Sequence, residues 1–320
     1  MIKNSVLKGV ILVGLGASFY GMLATFVRLS YNDGFTTAEV TTSQFVLGIL
    51  GIALLNFVQT KIAPNKFQEI NKKDFKKLLL AGMSLGGTSL FYYLAVQYIN
   101  VSIAIVLLMQ SVWLSVVVEA FLTKKFPAIN KIVAVFMVLG GTLMATNVFA
   151  EKIDLDWHGV FWGFLAACSY TVTMFTSNMI ATYASPFKKT LTMLFGGAVL
   201  VALFLFFSQI GPFYFDGLQS IYFQFSENTD NIRAFDFSIF WKYGWILSLF
   251  GTILPPILFN SGFPKAGLGL GSIVSSMELP VSVMMAYLLL HEKVSFVQWL
   301  GVAVILFAIV IMNLQKNKAA

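Results

Sequence analysis

Long stretches of this chain carry no charge, and that limits the fold more than any other feature. No Asp, Glu, Lys or Arg occurs in 9–27, 40–60, 78–118, 132–150, 157–187, 190–215, 243–264 or 294–315, and Glu278 alone interrupts 266–290. Charged residues are 11% of the 320, against about 25% in soluble proteins. A water-soluble fold of this length has to cover itself with charge, so the solvent for most of the chain is a lipid bilayer. A spanning helix needs about 20 apolar residues. Most runs hold one helix, and 78–118 holds two, with a turn at Asn100-Val101-Ser102. The spacing predicts an all-α membrane protein with ten transmembrane helices, at about 8–30, 36–58, 78–98, 101–122, 131–149, 158–182, 189–210, 242–263, 267–290 and 294–314. Barrel strands would alternate polar and apolar residues, and these runs do not. Leu7 to Leu29 is long enough to span and has no small-x-small site, so it reads as a retained first helix.

Lys and Arg mark cytoplasmic loops. With the N-terminus inside, Arg28, Lys152, Arg233, Lys242 and Lys293 fall outside, leaving sixteen of the 21 basic residues inside. Asp33, Glu151, Asp154, Asp156, Asp216, Glu227, Asp230, Asp236 and Glu292 lie outside. The net charge of +7 is thus a topology signal, and a nucleic-acid partner is not expected, because the basic residues sit in separate short loops. The expected location is the plasma (inner) membrane, with both termini cytoplasmic. The single cysteine, Cys168, excludes a disulfide framework and any cysteine metal cluster.

The chain also repeats itself. Gly9-Val10 with Tyr20 matches Gly159-Val160 with Tyr170 at an offset of 150, and Phe91 through Gln110 to Leu122 matches Phe259 through Glu278 to Leu290 at an offset of 168. The extra residues fall between the seventh and eighth helices. Five is odd, so the second copy enters the membrane from the other side. The expected domains are a first five-helix repeat over 1–150 and a second over 151–320, with an outer insertion at about 211–241. Inverted repeats are a transporter architecture, with the substrate at the repeat interface near midplane.

The last fifty residues carry a pattern: Ser275-Ser276-Met277-Glu278-Leu279-Pro280-Val281, then Leu288-Leu289-Leu290-His291-Glu292-Lys293-Val294-Ser295, then Gln298-Trp299-Leu300-Gly301. This resembles the EamA domain of the drug/metabolite transporter superfamily. The resemblance covers the whole chain and implies two five-helix copies and a secondary carrier or exporter of small metabolites. His291 stands where the family has Gly. In the first copy Val112 stands at the place of Pro280, and Lys124 at that of Glu292.

Glu278 lies in the middle of the ninth helix, eleven residues from Gly267, which is about 16 Å into a core of about 30 Å. A carboxylate at that depth is costly unless it meets water or a partner. It is read either as the partner of a substrate ammonium or a proton site, or as the satisfier of backbone groups freed by Pro280. Ser275 lies on its face, one turn before. Pro255-Pro256 interrupt the eighth helix, and Asn260 follows one turn later, either lining a pathway or marking a packing kink. Tyr20 and Tyr170 occupy equivalent places, and with Phe91, Tyr92, Tyr93, Gln97, Gln110 and Trp113 they line a central cavity or pack as ordinary aromatics. Aromatic walls with a few polar tips suit amino acids and amphipathic or cationic compounds. The candidate substrate-binding residues are Tyr20, Tyr92, Gln97, Gln110, Trp113, Tyr170, Asn260, Ser275 and Glu278. Arg28 and Glu39 read as snorkelling charges or an outer gate pair, and Glu119 as a rim charge.

The function expected is secondary transport of such metabolites by alternating access, in the export direction, with coupled protons, by a monomer. The rival classes are an intramembrane enzyme and a non-transporting receptor or scaffold. His291-Glu292-Lys293-Val294-Ser295 starts like a zinc-protease motif but lacks its second His. Neither a Gly-x-Ser-x-Gly motif nor an intramembrane Asp pair occurs, so no catalytic residue, metal or cofactor is expected.

Overall fold

The computed structural model describes residues 2–63, 67–99, 101–148, 156–225, 232–291 and 293–316. Lys66, Asn100, Glu151, Lys152, Asp154, Glu227, Asp230, Glu292 and Lys318, used in the topology reading, lie outside the described residues. In chain order the helices are α1 (Asn4–Asn32), α2 (Thr37–Ile62), α3 (Lys72–Val96), α4 (Ile103–Thr123), α5 (Ile129–Ala145), α6 (Trp157–Met179), α7 (Pro186–Tyr214), α8 (Phe240–Ala266), α9 (Leu268–Leu289) and α10 (Phe296–Met312). All but α5 and α10 are long and apolar enough to cross a membrane, and those two are shorter apolar helices. Large apolar side chains point outward along them, Leu54 at 64% exposure and Phe136 at 70%, as a lipid-facing surface requires. The expected outer insertion begins as helix, because α7 runs on to Tyr214 through a π-helical turn at Phe206–Ile210, and a short helix, Asp216–Phe225, follows.

Small residues set the helix pairs, since without a hydrophobic drive between helices in lipid, close backbone approach supplies the packing. A Cβ on Gly9 would stand 2.6 Å from Ala266 N and 2.9 Å from Gly262 O, and one on Gly16 would strike Phe259, so α1 and α8 run antiparallel. Gly14 meets Val274, and Gly21 meets the Glu278 carbonyl and Ser282, so α1 and α9 run side by side in the same direction. Gly82 rests on Met193, and Gly86 on Gly197, pairing α3 and α7 in parallel. Gly141 and Gly301 pair α5 with α10 antiparallel.

Two helices break near mid-membrane. In α4 the Gln110 Nε2 donates to the Val106 carbonyl at 2.9 Å, and the Gln110 backbone N–H is diverted to Leu107 O at 3.0 Å. The side-chain amide takes the acceptor that helix geometry reserves for the backbone, and regular α-helix stops at Leu108 and resumes at Ser111. In α9, Pro280 has no N–H for the Ser276 carbonyl, which accepts from Leu279 N instead, and the break falls at Ser276 and Met277. In α8 a π-helical turn at Leu249–Ile253 precedes Pro255 and Pro256. The extra residue per turn accommodates two positions that cannot donate. A buried cluster including Val13, Ala17, Met109, Val112, Met174, Phe259, Phe263 and Ile273 fills the junction of α1, α4, α6, α8 and α9.

Candidate functional site

Above that cluster the bundle holds a cavity of about 790 Å³. Each wall is a helical stripe. From α1 come Tyr20, Leu23, Ala24, Val27, Arg28 and Tyr31; from α3, Leu85, Thr88, Ser89, Tyr92, Tyr93 and Val96. Both follow the i, i+3, i+4, i+7, i+8, i+11 spacing that keeps side chains on one helix face. Glu278, Ser282, Val283 and Ala286 continue up α9, and Asn147, Lys293 and Gln298 join Arg28 at the mouth.

Glu278 stands at the floor. The Tyr170 hydroxyl donates to its Oε2 at 3.3 Å. Tyr20 meets Tyr170 edge-on at 6.2 Å between ring centroids, and Tyr31, Tyr93 and Tyr92 form a further edge-on chain at 6.1 and 6.0 Å. Ring edges and faces around one carboxylate form a cation-binding environment. Among the described residues no group of three or more His, Cys, Asp or Glu comes together to hold a metal.

Of the candidate residues, Tyr20, Tyr92, Tyr170 and Glu278 come together here. Ser275 lies just beneath, 2% exposed, its hydroxyl donating to Ser272 O and facing the Tyr170 phenol. Gln110 and Trp113 are not on the cavity; the Trp113 indole N–H donates to Gln110 Oε1 at 2.9 Å, so the pair satisfies itself along α4. Asn260 is buried away from the cavity and donates to Thr190 Oγ1 at 2.9 Å. Pro255 and Pro256 are buried too and do not line it. Gln97 continues the backbone of α3, and its side chain lies outside the described ones. Arg28, Tyr31, Thr88 and Ser89 were not among the candidates. Extending the Tyr92 stripe back by one helical turn finds Thr88 and Ser89, and extending the Tyr20 stripe forward by two and three turns finds Arg28 and Tyr31.

Several charges sit differently from the sequence reading. Glu39 is fully buried, and its partner is not Arg28. Its carboxylate accepts from Arg233 Nη2 at 2.6 Å, Gln209 Nε2 at 2.9 Å, and the backbone N–H groups of Thr36 and Asp236 at 2.8 Å each. Arg233 also donates to Gly34 O, so the insertion is fastened to the turn between α1 and α2. The Ser238 backbone N–H, donating to Asp236, holds that carboxyl below the usual range. Lys189, the first residue of the expected seventh helix and one of the sixteen basic residues counted on the cytoplasmic side, is a buried residue of α7, 1% exposed, donating to Ser177 O at 2.8 Å. Glu119 pairs with Lys131 and stands over Gly267 and Gly269, at the first turn of α9. Gly267 has φ +85°, the left-handed region that lets the chain turn from α8 into α9.

A solved crystal structure of another protein superposes on the chain with a TM-score of 0.70 at 13% identity, covering 98% of each, which shows a shared fold. The chain is 26% identical over 253 residues to the Salmonella typhimurium protein named uncharacterized inner membrane transporter YicL, spanning 78% of this chain and 77% of that one. A model of the EamA-like transporter family matches twice, over residues 7–147 and 157–314. The chain is therefore a multi-pass membrane protein of the EamA-like transporter family, a transporter rather than an enzyme.

Proposed function

We propose that this protein is a secondary carrier of small organic metabolites, amino acids or amphipathic and cationic compounds, in the inner membrane. It works by alternating access between two inverted five-helix copies, 1–150 and 151–320. Glu278 carries the reading: it is the one acid among the described cavity-lining residues, and it stands at the floor against Tyr170. The two matches of one family model support the repeat. So do equivalent contacts. Gly9 packs on Ala266 and Gly159 on Tyr98, and these pairs are related by the offsets of 150 and 168. The breaks in α4 and α9 fall within one residue of each other under the second offset. The closed end holds the start of α1 and the lysines at 72, 73, 76, 77, 124, 125 and 131, which supports a cytoplasmic placement and a cavity that faces outward.

In this mechanism Glu278 exchanges a proton for the substrate cation, which suits export down a proton gradient. A thermal-shift screen against amino acids, nucleosides and organic cations identifies a ligand, and its flux is then followed in proteoliposomes at varied pH. Glu278→Gln abolishes the pH dependence of that flux. Unaltered flux, pH profile and affinity in that variant would make Glu278 structural and overturn the reading.

A further inference from the structure

Two buried polar atoms between the cavity floor and the closed end have no hydrogen-bond partner, Ser111 Oγ on α4 and Asn260 Oδ1 on α8. Their residues are 0% and 5% exposed. One turn beyond Ser111, the buried Ser115 hydroxyl has the Met174 sulfur as its acceptor at 3.5 Å, and a thioether accepts weakly. A buried polar group without a full partner is unfavourable, and apolar residues of the same size would close this region more stably.

The repeat supplies a reason for them. The long stripes of the cavity wall come from α1, α3 and α9. The offsets of 150 and 168 carry these helices onto α6, α8 and α4. Those three meet beneath the floor, where Ser115 touches Met174 and the Asn178 Nδ2 donates to Phe263 O at 2.7 Å. The cavity-lining Leu279 and Val283 correspond to Ser111 and Ser115, Val27 to Ser177, and Tyr92 to Asn260. Three of the four lining residues are apolar, whereas all four of their counterparts are polar. The depth fits as well. Gly21 is level with Glu278 and Gly16 with Phe259, so Asn260 lies about five residues of α1, or about 8 Å, toward the closed end from Glu278. Ser177, 1% exposed, lies in the last turn of α6, and the Lys189 ammonium sits on its carbonyl.

We propose that α4, α6 and α8 enclose the second half of the transport path, closed in this structure, and that Ser111, Ser115, Ser177 and Asn260 line it when it opens. Water then supplies the partners that Ser111 and Asn260 lack here. The plug that has to part is apolar, with Met109, Val112, Met174 and Phe259 among its members. The four lining side chains are uncharged hydroxyls and an amide, so this half solvates a polar solute on its way without holding it, and the charged contact stays at Glu278. The proposal rests on alternating access between two inverted copies.

Thiol accessibility tests it. In a Cys168→Ser background, Ser115→Cys and Ser177→Cys are each labelled with a membrane-impermeant thiosulfonate in vesicles of either orientation. Both are expected to react from the closed side at least about tenfold faster than from the open side. Both are also expected to outpace, by about the same factor, Val117→Cys, which faces lipid at 38% exposure. Ala24→Cys, on the cavity wall, reports access to the centre by itself. If Ala24→Cys reacts from the closed side while Ser115→Cys and Ser177→Cys do not, the centre opens by another route and the proposal is overturned. If none of the three reacts from that side, alternating access itself fails, and the proposal with it. Ser111→Ala removes an unpartnered hydroxyl. It is expected to leave the melting temperature unchanged or raise it, and to slow closed-side labelling of Ser115→Cys about threefold, because the open path loses a hydrated group. A lowered melting temperature with unchanged labelling makes Ser111 a packing residue and counts against the proposal.

Discussion

Glu39 and Lys189 are 150 residues apart, the same offset that relates Gly9 to Gly159 and Tyr20 to Tyr170. Both lie in the first turn or so of their helices, α2 and α7, and both are fully buried, at 0% and 1% exposure. They carry opposite charges. The N-terminus of a helix favours an acid, through its free N–H groups and its dipole. Glu39 uses this directly: with Thr36 it forms a capping box, and Arg233, Gln209 and the Asp236 N–H complete its shell. Lys189 sits where the dipole of its own helix opposes it. Its ammonium instead reaches the Ser177 carbonyl, in the last turn of α6, where the dipole favours a cation. Two helix N-termini whose buried residues lie 150 apart in the sequence thus hold opposite charges, because a long side chain can choose which helix end it serves.

The comparison has a sharp consequence for stability. Glu39 neutralises a guanidinium and accepts four hydrogen bonds, so Glu39→Ala removes the counter-charge of Arg233 and leaves two backbone donors, Thr36 and Asp236 N–H, without that acceptor. Removing one member of a buried pair costs about 3–5 kcal/mol, and because Arg233 is 40% exposed the expected loss is near 3 kcal/mol. Lys189→Met removes the charge together with its single acceptor contact and keeps the apolar stem, so the expected change is within about 1 kcal/mol. Unfolding free energies in mixed micelles check both. Comparable losses at the two positions would break the contrast.

A second pair sharpens it at the level of packing. Gly9 and Gly159 lie 150 residues apart, but a Cβ on Gly9 would stand 2.6 Å from the Ala266 amide nitrogen whereas one on Gly159 would stand 2.6 Å from the Ile99 Cγ2 methyl. Backbone yields less readily than a side chain, and the Ile99 side chain can shift. Gly9→Ala is therefore expected to cost about 2 kcal/mol as overpacking, and Gly159→Ala about half that. Melting temperatures in detergent give the order, and the reverse order would show that α3 and α6 are held more rigidly than α1 and α8.

How far the sequence foretold these features depends on which physical rule decides each one. Apolar runs of bilayer length gave the helices, because lipid leaves a backbone no partner except itself. The repeat led from Tyr20 to Tyr170, and depth pointed to Glu278. The same repeat also suggested that Gln110 would mirror Glu278 on the cavity, and the structure places it elsewhere. A glutamine amide can donate, so Gln110 finds the carbonyl of Val106 one turn back. An ionised carboxylate cannot donate, so Glu278 has no such internal partner and takes the Tyr170 hydroxyl. Charge counting entered Lys189 among the cytoplasmic charges without showing that it is buried, because a count of lysines carries no information on burial. The clamp of Arg233 on Glu39 joins residues 194 apart and left no local pattern to read.

The smallest expected effect concerns the two ends of the bundle. At the closed end Glu119 pairs with Lys131 over the first turn of α9. The residues 168 further along, Tyr287 and Trp299, make an edge-on ring contact at 6.0 Å, each about half exposed. On the proposed alternating access, the contact of Glu119 with the first turn of α9 is the part that a change of facing would have to break, because Glu119 and its partner Lys131 belong to the first half and Gly269 to the second. Both charges are about a quarter exposed, so the pair and the helix-end contact together are worth about 1 kcal/mol. That is about fivefold in the balance between the two facing states. In a Cys168→Ser background with a cysteine at Ala24, Glu119→Gln is expected to raise labelling from the closed side about fivefold, read with a membrane-impermeant maleimide in vesicles of either orientation. Exchanging the charges, Glu119→Lys with Lys131→Glu, tells which contact matters. A plain ion pair would be restored by the exchange and labelling would return to its parent rate. A lock that includes the α9 N-terminus would not be restored, since the exchange sets an ammonium against the positive end of a helix dipole. Labelling that stays high in the exchanged variant therefore assigns the lock to Glu119 and α9, and a full return assigns it to the pair alone.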